Sequence, residues 1–154
     1  MNFWDVTSII LAVVFGGAVG LERQLSGKAA GLRTNILICF GSAVFTIISR
    51  RMVADSNDSV ARVAAQIVTG IGFLGAGAII RDRAGIHGLT TAATIWLVAS
   101  IGMGCGAGFY GLAFFSTIVA LVVLAGLRRF ERLFANHDDK HGSTNENKSN
   151  QPLG

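Results

Sequence analysis

Residues 84–127, AGIHGLTTAATIWLVASIGMGCGAGFYGLAFFSTIVALVVLAGL, run for 44 positions without an aspartate, glutamate, lysine or arginine. As a single α-helix this stretch would extend about 66 Å, twice the roughly 30 Å of a bilayer's hydrocarbon core, so it must fold back. Gly102-Met103-Gly104-Cys105-Gly106-Ala107-Gly108 carries glycine at every second position, which lowers helix propensity and permits a tight turn. The stretch therefore reads as two antiparallel helices over residues 89–102 and 109–127.

Three further charge-free runs precede it, at residues 6–21, 34–49 and 63–80. Together they predict an all-α fold, a polytopic membrane bundle of about five transmembrane helices over residues 1–130. The first two runs have 16 residues each, about 24 Å as helix, and flanking Arg23, Arg33 and Arg50 can snorkel outward to complete the span. Composition disfavours a soluble domain: 14% of the chain is charged, 51% is hydrophobic and mean hydropathy is +0.56, against roughly 25% charged in ordinary soluble domains. The 20 glycines and single proline place glycine inside apolar segments, where small residues let helices approach in lipid.

The net charge of +4 does not point to nucleic acid, because the arginines stand in ones and twos between apolar runs, as membrane flanks do. Asp5 lies near the first run and no basic segment precedes it, so that run is expected to be a retained helix and not a cleaved signal. With the N-terminus outside, ten lysines and arginines fall on the inner side and three (Arg50, Arg51, Arg62) on the outer, which predicts a cytoplasmic C-terminus. Residues 131–154 turn polar and predict a disordered cytoplasmic tail. His137 and His141 there are four apart beside two aspartates, but nothing in the segment would offset the entropy of ordering a metal site.

No motif supplies a cofactor, metal or catalytic group. Gly70-Ile71-Gly72-Phe73-Leu74-Gly75 has the dinucleotide-binding glycine spacing, yet it lies within an apolar span without a preceding strand. Its expected use is helix packing: Gly70, Gly72, Gly75 and Gly77 bare one part of the third helix, and Gly16 with Gly20 in the first helix can receive it. Cys39 and Cys105 read as packing residues, since no histidine or further cysteine stands at ligand spacing. His87 has no matched nucleophile, so no enzyme activity is expected.

Polar residues near the membrane carry more information, because each costs a few kcal/mol at bilayer depth without a partner. Glu22 and Arg23 end the first helix, Arg33 and Asn35 open the second, Arg81 closes the third, and Thr90 and Thr91 open the fourth. All are expected at the cytoplasmic face, with Glu22 pairing with Arg33 or Arg81. Arg62, Gln66 and Thr69 form one polar stripe entering the third helix from outside. Its uses are interhelical hydrogen bonding or a polar permeation path. No carboxylate lies in the middle of a span, which disfavours a divalent-cation pore.

Four separated blocks then carry a resemblance. Gly20-Leu21-Glu22-Arg23-Gln24, Ala30-Gly31-Leu32-Arg33-Thr34-Asn35, Arg62-Val63-Ala64-Ala65-Gln66-Ile67-Val68 running on through Gly77, and Gly88-Leu89-Thr90-Thr91-Ala92-Ala93-Thr94-Ile95-Trp96 stand in the order and spacing of the MgtC/SapB family of bacterial membrane proteins. The resemblance implies an inner-membrane protein without cofactor, associated with growth in low magnesium and with intracellular virulence. It implies action on another membrane protein, in some members the ATP synthase. The lipid bilayer is the expected surrounding of the apolar helices, and further copies of the chain are candidate partners. The alternative is a small transporter or channel for magnesium or another ion. Two loops depart from the family pattern: Ala29 stands where proline often precedes Ala30-Gly31, and Asp58-Ser59-Val60-Ala61 replaces an Asp-Pro pair before Arg62. Longer members carry a folded C-terminal regulatory domain, so functions that need it are not expected of this short form.

Overall fold

The computed structural model describes residues 2–52, 57–83 and 85–126, with residues 57–61 as backbone alone. The predicted tail and its two histidines lie outside the described residues. In chain order the elements are α1 (Phe3–Leu25), α2 (Leu32–Met52), α3 (Asn57–Gly77), β1 (Ile80–Asp82), β2 (Gly85–His87), α4 (Leu89–Ala107) and α5 (Tyr110–Gly126). The architecture is an all-α bundle with one small antiparallel hairpin, in which Ile80 faces His87 and Arg81 faces Ile86.

The first two helices outrun their charge-free cores because the charged flanks are themselves helical. Asp5 sits in the first turn of α1, Arg23 in its last, and Arg50 with Arg51 in the last turn of α2, each with the sign the helix dipole favours. At 23 and 21 residues these helices measure about 34 and 32 Å, a full hydrocarbon core. By length and composition α1, α2 and α4 can each cross a membrane, and α5 adds a shorter apolar helix. This is a multi-pass membrane protein.

Two expectations need correction. The glycine-rich segment is not a turn: α4 continues through Gly102, Gly104 and Gly106 to Ala107, and the chain reverses at Gly108 alone, at φ +85°. The amides of Gly108 and Phe109 close that turn on the carbonyls of Cys105 and Gly104. Gly102 and Gly106 instead let α4 lie on α2, since a Cβ at either would stand 2.1 Å from the Cys39 carbonyl oxygen or 2.5 Å from that of Ala43. Likewise, Gly16 and Gly20 receive α2 and not α3: their nearest neighbours are Cys39, Asn35 and Leu32.

The second helix is thus the centre, held by α1 on one flank and α4 on the other. Ala12, Val19, Cys39, Ala43 and Val98 are fully enclosed there, and Phe15 reaches across to Phe114 of α5 with ring centroids 6.1 Å apart. α3 packs on α4 more than on α2 and leaves most of its surface open. It ends at Gly77, so Arg81 stands on β1 and does not close the helix.

Side-chain contacts fix how the helix ends are sorted. Arg51 at the end of α2 pairs with Asp5 at the start of α1, and Arg50 Nη1 donates to the Gly106 carbonyl at the end of α4, 3.0 Å away. Ser8 Oγ and the Tyr110 hydroxyl, 2.9 Å apart, bring the start of α5 to the same end. The opposite end gathers the end of α1, the starts of α2 and α4, and the hairpin.

Candidate functional site

At that second end the bundle buries polar groups that an apolar core would exclude. Arg23 is 2% exposed and Asn35 fully enclosed, with Thr91 and Thr94 from α4 also buried. Gly20, one turn before Arg23, lies against the Asn35 Cβ, so the two side chains occupy adjacent turns of the α1–α2 contact.

Arg23 and Asn35 are each partly satisfied. Arg23 Nε donates to Glu22 Oε2 at 2.5 Å, and Ser26 Oγ donates to Glu22 Oε1 at 2.7 Å, so one carboxylate is held from both sides by its own chain segment. Asn35 Nδ2 donates to the carbonyls of Ala30 and Gly31, both at 2.8 Å, and so secures the loop that opens α2. Arg23 Nη1 and Asn35 Oδ1, a donor and an acceptor, have no partner among the described residues. Buried groups in this state are rare, because each costs about 1–3 kcal/mol, more when charged.

Of the residues grouped at this face by sequence, Glu22, Arg23 and Asn35 lie at the α1–α2 junction, and Thr91 is buried on α4. Arg33, Thr90 and the hairpin's Arg81 are exposed. The ion pair of Glu22 is with Arg23, its neighbour, and not with Arg33 or Arg81. In the stripe of α3, Arg62, Gln66 and Thr69 are all exposed, and the Thr69 hydroxyl turns back to the Ala65 carbonyl at 3.0 Å. Gln66 lines an apolar cleft against α2 and does not enclose a path. Gly75 touches Ala92 of α4, while Gly70, Gly72 and Gly77 have nothing within 4 Å of a built Cβ. Among the described residues no group of three or more histidine, cysteine or acidic side chains could hold a metal ion.

The opposite end holds a network that sequence reasoning missed: Asp5 with Arg51, Arg50 with Gly106, and Ser8 with Tyr110, whose hydroxyl also reaches the Trp4 carbonyl. The available signal was the placement of opposite charges at the abutting ends of antiparallel helices. Gly102 and Gly106 were likewise legible as a small-xxx-small pair, the spacing that lets helices touch.

This arrangement, a buried arginine–glutamate pair ending the first helix and an asparagine of the second holding the carbonyls of the loop before it, falls within the segment that a family model matches. The MgtC family model covers residues 9–133, the whole bundle from the second turn of α1 through α5. The chain belongs to the MgtC family. Among its relatives, the Escherichia coli (strain K12) protein named "Putative magnesium transporter YhiD" is 50% identical over 125 residues, covering 77% of this chain and 58% of that protein. "Protein MgtC" of Brucella abortus (strain 2308) is 48% identical over 117 residues, 76% of this chain and 48% of its own length. "Protein MgtC" of Salmonella typhimurium (strain LT2) is 47% identical over 121 residues, 79% and 51% respectively. The chain thus spans about half the length of the MgtC relatives it matches. No solved structure matches it.

Proposed function

We propose that this protein is a non-enzymatic regulator in the bacterial inner membrane, N-terminus outside and C-terminus cytoplasmic, serving adaptation to low magnesium or intracellular survival by helix contact with another membrane protein. The observation that carries this reading is the outward face of α3. Ala65, Thr69, Gly72 and Ala76 follow one another at helical spacing, all are exposed, and Gly72 has open space around it. In lipid such a face gains by close approach of a second helix, since small side chains let the backbones touch. The family resemblance makes the ATP synthase the first partner to test.

A photocrosslinking residue in place of Phe73, which is 81% exposed beside Gly72, should trap one membrane protein in native membranes. Gly72→Leu should abolish that product. Recovery of lipid adducts alone would count against the proposal.

The name of the YhiD relative supports a second reading, transport of magnesium. Purified protein in liposomes would then pass magnesium, and Gln66→Leu would reduce the flux; liposomes no leakier than empty ones would exclude it. The sideways opening of Gln66 to the α2–α3 cleft favours the regulator.

A further inference from the structure

A cleft of about 540 Å³ separates α2 from α3. Leu37 and Phe45 form one wall, Ile67 and Leu74 the other. Gly41 and Gly70 deepen it, since a Cβ at either would meet nothing within 4 Å. Its α3 lining runs from Val63 to Leu74, about 17 Å along the helix axis and rather more than half of a hydrocarbon core. The volume falls in the range of specific small-molecule sites. α2 spans the membrane, and the medium flanking the cleft is hydrocarbon. The cleft opens sideways to that medium, so a hydrocarbon chain can enter it and cover its apolar walls.

Polar groups make this more than a seam for bulk lipid. Gln66 places a carboxamide in the apolar lining, and an amide left without a partner in hydrocarbon costs several kcal/mol. Arg62 lies one turn further out on the same helix face, exposed and without an ion pair among the described residues. The neighbouring cations at that end are engaged, Arg50 by the Gly106 carbonyl and Arg51 by Asp5. A guanidinium with no ion pair among the described residues, an amide a turn below it and an apolar trough below that match, in order, the phosphate, ester linkages and acyl chain of a phospholipid.

We infer that the α2–α3 cleft is a binding site for an anionic phospholipid, with an acyl chain along the cleft, the ester region at Gln66 and the phosphate headgroup at Arg62. The acyl trough uses the inner side of α3, while Arg62 lies between it and the outward face, seven residues before Thr69; a lipid titration of the purified chain, with no protein partner present, tests the cleft by itself.

Native mass spectrometry of the full chain, titrated with phosphatidylglycerol or phosphatidylcholine of identical acyl chains, tests it. The native protein should retain one phosphatidylglycerol with about fivefold preference: both lipids present a phosphate to Arg62, but choline's ammonium cancels the net charge that the arginine attracts. Arg62→Gln should bring the preference to about one, and the pair Gly41→Leu with Gly70→Leu should lower retention of both lipids. The buried Cys39 and Cys105 report folding, because they stay closed to maleimide only in an intact bundle. Equal retention of the two lipids by the native protein, or unchanged retention after the cleft is filled in a folded variant, would overturn the inference. So would a photocrosslinker at Ile67 that captures a protein helix instead of lipid.

Discussion

Gly102 of α4 rests on the backbone of Cys39 in α2, with room for no side-chain atom between them: a Cβ at 102 would lie 2.1 Å from the Cys39 carbonyl oxygen. On the other flank of α2, a Cβ at Gly16 would lie 2.6 Å from the Cβ of the same cysteine. The central helix is therefore clamped between two glycine pairs spaced four apart, Gly16 with Gly20 and Gly102 with Gly106. Since backbone atoms cannot swing aside, Gly102→Ala must push two helices apart, a strain of about 2–3 kcal/mol by comparison with other overpacked cores. Thermal unfolding in detergent should show a clear loss for Gly102→Ala. Gly72→Ala should be neutral or slightly stabilising, because its Cβ meets nothing and alanine is the better helix former. Equal effects at the two positions would contradict the clamp.

The buried ion pair makes a second prediction. The Arg23 side chain is 3% exposed and that of Glu22 14%, so neutralising Glu22 strands the Arg23 charge in a poorly solvated place. Glu22→Gln should cost on the order of 3 kcal/mol, the low end for a broken buried pair because the carboxylate keeps some access to water. Arg23→Met combined with Glu22→Gln should recover part of the loss. A double-mutant cycle on unfolding free energy measures the coupling; a value near zero would show that the pair acts as two separate anchors.

These contacts also show what the sequence could reveal. The helices were legible because hydrocarbon demands long apolar runs, and α1, α2 and α4 answer that demand directly. Gly102 to Gly108 was misread because glycine does opposite things in two settings. It weakens a solvated helix, yet in lipid it removes the side chains that would hold two backbones apart. The i, i+4 spacing of Gly102 and Gly106 was the sign that the second effect operates. Glu22 was assigned a partner on another helix when Arg23, the next residue, reaches it. The hairpin was hidden because strands of three residues leave no periodicity to read. Asp5 with Arg51 required knowing which helix ends abut, a property of the assembled bundle.

The cysteines give a third prediction. Cys39 and Cys105 are both fully enclosed, so the native chain should be silent to maleimide reagents until detergent denaturation. It is thus a ready background for testing the proposed orientation with one exposed cysteine at a time. Lys28→Cys, in the turn between α1 and α2, should resist an impermeant maleimide in intact cells and react in inverted vesicles. Asn2→Cys should do the reverse. The opposite pattern would invert the proposed topology.

The adjacent arginines ending α2 should prove unequal. Arg51 forms an ion pair with Asp5, but its side chain is half exposed, and exposed pairs contribute about 0–1 kcal/mol and are screened by salt. Arg50 instead donates to the Gly106 carbonyl, one of the last-turn carbonyls of α4 that its own helix leaves unpaired, where a cation also meets the negative end of the helix dipole. Arg50→Gln should therefore cost about 1–2 kcal/mol, much of it persisting at high salt because a hydrogen bond and not only a charge is lost. Arg51→Gln should cost less than about 1 kcal/mol, and that small loss should vanish in high salt. Unfolding midpoints at low and high ionic strength separate the two, and the reverse ranking would mean that the surface pair, not the helix cap, secures this end of the bundle.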